Sequence, residues 1–215
     1  MKPLVTAADL ERVPQNGELA VTPDTIITLL GREEAERRGI TFRIVAPGTA
    51  SAGAKSPSFE SEKSARTVAI ASDHGGFEIK EQLKAYLREW GYQVLDLGTD
   101  STAPVDYPDF AEAVGKAVAR GDAWLGIVLD SAGIGSSIAA NKVPGARAAL
   151  CYDRATARNS REHNDANVLS LGAKLLSQET AREILAIWLA TPFAGGRHQR
   201  RVDKIRSIEE RSAKK

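Results

Sequence analysis

Between residues 67 and 190 short apolar runs alternate with amphipathic stretches. "TVAIA" at 67–71 is apolar with no alternation, which suits a strand buried on both faces. The next segment, 76–90, sets Phe77, Ile79, Leu83, Tyr86, Leu87 and Trp90 largely on one helical stripe and stops at Gly91. A second strand is predicted at 92–97, a turn-rich loop at 98–108 and a helix at 109–120 with Phe110, Ala113, Val114, Ala117 and Val118 inward. The run 124–129 is again apolar on both faces, as a central parallel strand is. Helix 135–142, strand 147–151, helix 153–162, a short strand near 167–171 and helix 178–190 complete the series. Strands that alternate with helices in this way predict an α/β fold: a Rossmann-like, doubly wound, five-stranded parallel sheet in three α/β/α layers. Five strands cannot close an eight-stranded barrel.

The pattern breaks at 49–66, "TASAGAKSPSFESEKSAR", which is small, polar and charged without a period and reads as a flexible linker. It divides the large region, 67–215, from a small N-terminal extension, 1–48. In the extension Thr6 or Asp9 could start one short helix and Thr22–Pro23 a second, and "TFRIV" could be a strand. A separate fold of that size is marginal unless it docks on something.

Composition narrows the class of function. The 215 residues are 42% hydrophobic, carry a formal charge of +1 and have a pI near 7.8, so nothing electrostatic points to nucleic acid. The basic run "RHQRRVDKIR" at 197–206 has too few arginines and no aromatic platform for that role. One cysteine, Cys151, excludes an internal disulfide framework and fits a reducing compartment. No apolar run approaches a membrane span, and the first residues lack a secretory signal pattern, so a cytoplasmic location is expected, with no membrane partner.

In an open parallel sheet ligands sit beyond the carboxyl ends of the strands, which shortens the search for chemistry. The first strand ends in Ser72-Asp73-His74-Gly75-Gly76 and the third in Asp130-Ser131-Ala132-Gly133-Ile134-Gly135. The second is followed by Asp106-Tyr107-Pro108, and the helix after the fourth ends in Arg161-Glu162-His163-Asn164-Asp165. The backbone N–H groups of "SAGIGSS", 131–137, could hold an anion or a developing oxyanion, though such glycine turns are often purely structural. Asp73-His74 could orient a bound hydroxyl, or Asp73 could cap the next helix; His163-Asn164-Asp165 could serve a ligand or close a helix. Arg197 and Arg201, four apart, could fork a phosphate or form a solvated basic face. "SDHGGFEIK" lacks G-x-G-x-x-G spacing, which speaks against a nicotinamide cofactor, and no His or Cys spacing supports a metal.

Five motifs in this order, "SDHGGFEIK", "DYPDFA", "GIGSSIAANKVPGARAAL", "SREHNDANVLSLGAK" and "GGRHQRRVDKI", resemble the type B ribose-5-phosphate isomerase family, which includes galactose-6-phosphate isomerase subunits. The resemblance covers about 67–210 and implies an aldose–ketose isomerase for a small sugar phosphate, without metal or cofactor, in a homodimer with shared active sites or a tetramer. It implies ring opening by His163, substrate binding by Asp73, His74 and Asn164, enediolate stabilisation by 131–136 with Gly133 and Gly135, and phosphate binding by Arg197 and Arg201. Many members carry "CGTG" with a cysteine base; here "DSAG" puts Asp130 at the cysteine's place and Ala132 where a threonine hydroxyl would assist. Another branch uses a glutamate at the position of Ser136, which is absent too. Asp130 is therefore the expected base, close to cysteine in length, with Ser131 or Ser136 to supply the hydroxyl. The expected reaction interconverts ribose 5-phosphate and ribulose 5-phosphate; a four- or six-carbon sugar phosphate, or binding without turnover, are the alternatives. Within 1–48, "IITLLGREEAERRGI" resembles a segment of bacterial microcompartment enzymes, "ITPLAR…A…RGI", with Leu in place of Pro. That resemblance implies docking on a microcompartment shell or core protein, with the enzyme inside the shell; an extra oligomerisation element or an inert extension are the alternatives.

Overall fold

The computed structural model describes residues 4–5, 7–10, 13–23, 25–27, 29–45 and 66–213. It divides into two compact units, one within Met1–Ser56 and one within Pro57–Lys215. The expected linker, 49–66, lies outside the described residues apart from Arg66.

The first unit runs β1 (Leu4–Val5), α1 (Ala7–Leu10), β2 (Glu18–Val21), β3 (Ile26–Ile27), α2 (Leu29–Arg38) and β4 (Thr41–Ile44). Pairing is parallel throughout, β1 with β3 and β2 with β4. Leu10, Val13, Ala35 and Ile40 form its core, with Val5, Leu19 and Phe42 against it. The Arg38 guanidinium donates to the carbonyls of Leu10 and Val13 and so ties α2 to the end of α1. The first short helix and the 41–44 strand fall where the sequence places them. The second helix does not start at Thr22–Pro23: the Thr22 and Thr25 hydroxyls bond at 2.9 Å in a turn, Ile26–Ile27 is spent pairing with Leu4–Val5, and the helix begins at Leu29.

The second unit holds β5 (Thr67–Ser72), α3 (Phe77–Glu89), β6 (Gln93–Asp96), α4 (Tyr107–Arg120), β7 (Leu125–Asp130), α5 (Ile134–Ala140), β8 (Ala148–Leu150), α6 (Arg154–Asn164), β9 (Val168–Gly172), α7 (Gln178–Ala190), a 3-10 turn (Gly196–His198) and α8 (Gln199–Ala213). The sheet is five-stranded, parallel and ordered β6-β5-β7-β9-β8, so the Rossmann-like three-layer fold is present. Alternate residues of each central strand enter different cores. Val68, Ile70, Leu125, Ile127, Leu129, Leu169 and Leu171 face the helices that carry Leu83, Leu87 and Trp188. Ala69, Ala71, Val128 and Val168 face those that carry Val114 and Ala140. This two-sided burial is why β5 and β7 read as unbroken apolar runs. The last helix, α8, carries most of the basic run 197–206, and Val202, fully buried, anchors it.

Candidate active site

Two parallel strands at the centre of the sheet each end in a buried aspartate. At the end of β7, Asp130 Oδ1 accepts the backbone N–H of Ala132 at 2.8 Å and that of Gly133, and Oδ2 accepts Ser136 N–H at 2.9 Å. Only 6% of Asp130 is exposed. The turn closes this tightly because Gly133 has φ +78° and no side chain; a Cβ there would lie 2.5 Å from Leu150 and 2.9 Å from Gly172 N. Buried Ser170 donates to the Gly133 carbonyl at 2.6 Å, and Tyr152 Oη donates to that of Ala132 at 3.1 Å. The turn is thus held from β9 and from the residues that follow β8, and its N–H groups converge on Asp130's own carboxylate.

Beside it, at the end of β5, Asp73 Oδ1 accepts Gly75 N–H at 2.8 Å and Gly76 N–H at 3.0 Å. Asp73 therefore caps the turn into α3 while keeping a place at the strand end. The two turns touch: a Cβ on Gly75 would lie 2.5 Å from Ser131 Oγ and 3.2 Å from Asp73 Oδ1. The exposed His74 ring accepts Val105 N–H at its Nδ1, 3.3 Å away, which leaves Nε2–H as its outward donor. Tyr107, in the first turn of α4, lies over Gly135, where a Cβ would meet the phenol at 2.5–2.8 Å. The Asp106-Tyr107-Pro108 loop is legible in the sequence, whereas the contact of the exposed Tyr107 ring with Gly135 joins two separate elements and leaves no local signal.

His163, Asn164, Arg197 and Arg201 do not join this cluster. Asp153 caps the start of α6 at the carboxyl end of β8, and His163 lies in the last turn, at the other end of the helix. Asp165, in left-handed conformation with φ 48°, closes that end, where Arg147 bonds its carboxylate at 3.0 Å. Asn167 Oδ1 accepts the N–H of Arg147, which directly precedes β8. These residues therefore sit at the amino ends of the strands, the length of α6, about 15 Å, from Asp153 at the carboxyl end of the sheet. His163 and His198 stack there with centroids 4.1 Å apart and planes 5° from parallel. Exposed Arg197 and Arg201 flank the pair, Arg197 from the 3-10 turn and Arg201 from the first turn of α8. An open cleft of about 450 Å³ runs along α6, lined by Leu150, Ala155, Thr156, Asn159, Ser160 and Asn164.

The carboxyl-end cluster offers a carboxylate, hydroxyls and an imidazole N–H donor; the amino-end cluster offers a histidine pair and two guanidinium groups suited to phosphate. Cys151 is fully buried, and burial pushes its thiol up, so the one cysteine is no ready thiolate. Among the described residues no three His, Cys, Asp or Glu side chains gather where a metal ion could bind, and no helix is long and apolar enough to cross a membrane.

The model of the Ribose/Galactose Isomerase family matches residues 68–205. The chain belongs to that family. It is 44% identical over 146 residues to ribose-5-phosphate isomerase B of Escherichia coli, covering 68% of this chain and 98% of the relative. It is 39% identical over 141 residues to D-erythrulose-4-phosphate isomerase of Pectobacterium atrosepticum, covering 65% and 92%. The solved ribose-5-phosphate isomerase B of Clostridium thermocellum superposes with a TM-score of 0.67 at 48% identity, covering 68% of this chain and 99% of that one. This ribose/galactose isomerase family member is a sugar-phosphate isomerase in its second unit; the matched residues stop short of the first.

Proposed function

We propose that the chain interconverts ribose 5-phosphate and ribulose 5-phosphate through a cis-enediolate, with Asp130 as the base. The observation that carries this reading is the place of Asp130 at the carboxyl end of central β7, with two N–H donors on Oδ1 and one on Oδ2. One lone pair of Oδ2 is then available for a substrate proton. Asp130 takes the proton from C2 and returns it to C1, while a hydroxyl, from Ser131 or Ser136, carries the balancing proton from O2 to O1. Asp73, His74, Gly133 and Gly135 hold the sugar at this end. His163 and Asn164 serve ring opening and binding, and Arg197 and Arg201 take the phosphate.

The second set lies too far from Asp130 in one chain, which favours a homodimer in which each site draws Asp130 from one subunit and His163 with the arginines from the other; two such dimers could pair as a tetramer. The likeness to a D-erythrulose-4-phosphate isomerase keeps four-carbon sugar phosphates in view as substrates. The first unit, with its own small core, is assigned to docking on a microcompartment shell or core protein, which would place the enzyme inside such a shell in the cytoplasm.

One observation favours a second reading, a binding protein without turnover. The N–H groups of Ala132, Gly133 and Ser136, which would hold the enediolate, are all taken by Asp130. Incubation with ribose 5-phosphate in D2O separates the two. Ribulose 5-phosphate formation with deuterium at its C1, and exchange at C2 of the recovered ribose 5-phosphate, supports the isomerase. Binding without product or exchange, across four-, five- and six-carbon sugar phosphates, supports the second reading.

A further inference from the structure

We infer that Asn159 is a positioning residue that holds His163 as the Nε2–H tautomer, so that the ring presents a hydrogen-bond donor, not a lone pair, to the sugar. The inference rests on the proposed role of His163 in ring opening and adds a residue that the family motifs do not include: the fourth motif begins at Ser160, one residue later. Asn159 and His163 lie one turn apart on α6, and the Asn159 amide nitrogen is 2.8 Å from His163 Nδ1. An amide nitrogen has hydrogens and no lone pair to give, so it donates and Nδ1 accepts. The ring's own hydrogen is then on Nε2.

The stacked neighbour obeys the same logic. Arg197 Nε donates to His198 Nε2 at 3.3 Å, which puts the hydrogen of that ring on Nδ1. Two parallel imidazoles 4.1 Å apart repel strongly if both are protonated, and a pair fixed by one donor each avoids that cost. His198 agrees with this arrangement: burial, then the His163, Arg197 and Arg201 charges, push it down, with Glu162 opposing. A proton added to Nδ1 of His163 would face the amide hydrogens of Asn159, so accepting it requires the amide to turn over and offer its oxygen. In its neutral form the ring therefore donates from Nε2, which polarises the ring oxygen of a closed sugar as the C1–O bond opens.

The test uses the full chain with 15N-labelled histidine. Long-range 1H–15N correlations read each ring's tautomer directly, with the His163 signals assigned from a His163→Gln spectrum. Wild type is expected to show His163 as Nε2–H. Asn159→Asp, whose carboxylate only accepts, should move the hydrogen to Nδ1, and Asn159→Leu should give a mixture. An unchanged His163 tautomer in both variants overturns the inference. Kinetics supply a second reading: with cyclic ribose 5-phosphate, Asn159→Asp should lower kcat about tenfold and leave KM within about twofold. Deuterium exchange at C1 of acyclic ribulose 5-phosphate should be unaffected, because no ring opens there. Equal loss with both sugars overturns the positioning role. If the wild type exchanges neither sugar, the isomerase reading has failed, while the tautomer measurement still decides the role of Asn159.

Discussion

At the scale of single residues, Asp130 carries the sharpest expectation. Replacing it with Asn keeps the side chain's shape and an acceptor oxygen for two of the three backbone donors but removes the proposed base. Deuterium exchange at C2 should fall at least about a hundredfold, while affinity for ribose 5-phosphate, measured by calorimetry, should change little. Retained exchange would remove Asp130 from the mechanism. Cys151 makes the complementary case. With its thiol buried and pushed up, Cys151→Ala should leave turnover within about twofold, and a thiol-alkylating reagent should not inhibit. A large loss would reassign the base. Residue type at the strand ends was legible in the sequence because only a few polar positions follow each apolar run. What those carboxylates touch was not: nothing in "DSAGIGS" says that Asp130 would turn back on the N–H groups after it. Nor could spacing alone show that Asn159 reaches Nδ1 of His163 and not solvent, because that depends on rotamers.

At the scale of elements, α3 and β6 are locked by charge. Lys80, whose side chain is 1% exposed, bonds both oxygens of Asp96 at 2.9 Å, and Lys84 joins Asp96 and Glu81. Burial by itself would raise the Asp96 carboxyl, but the Lys84 and Lys80 hydrogen bonds and the Gly98 N–H outweigh it and hold the group below its ordinary 3.8. Its contribution to stability is thus full above that value and is lost as pH falls through the lower folded-state value. Lys84 is opposite in sense: burial would lower it, Asp96 and Glu81 hold it above 10.5, and its contribution is lost as pH rises through that elevated value. Asp96→Asn leaves buried Lys80 with only the more exposed Glu81 carboxylate, 2.9 Å away, as counter-charge and should cost about 2 kcal/mol in urea unfolding at neutral pH, with the deficit shrinking toward strongly acid conditions. A loss unchanged with pH would refute this account. The apolar residues of α3 show its helical stripe in the sequence, but Lys80 on the buried face breaks that pattern, and nothing local names Asp96 as its partner. The β1–β3 pairing was missed for a different reason, since two-residue strands carry no period to detect.

At the scale of the molecule, the first unit and the separation of the two clusters set the remaining expectations. Because family likeness stops at 68–205, a chain starting near residue 61 should keep its turnover within about twofold and lose any higher assembly or shell association, as read by light scattering and co-sedimentation with shell protein. Failure of the shortened chain to fold would show that the second unit needs the first. The division of labour along α6 leads to a stronger test. Asp130 stands at one end of the sheet and His163 at the other, so neither reaches a substrate held by the other in the same chain. The proposed homodimer, with each site shared between two copies, would bring them together, and it makes complementation quantitative. Asp130→Asn and His163→Ala chains should each be inactive as homodimers. After the two are mixed, unfolded and refolded together, half of the dimers pair one of each, and each such dimer holds one site with both residues intact and one with neither. Turnover should then recover to roughly a quarter of wild type, and it should rise with the fraction of mixed dimers as that is varied. No recovery, with mixed dimers verified by mass spectrometry, would mean that each chain works with its own residues, and α6 would have to move far from the place it holds here.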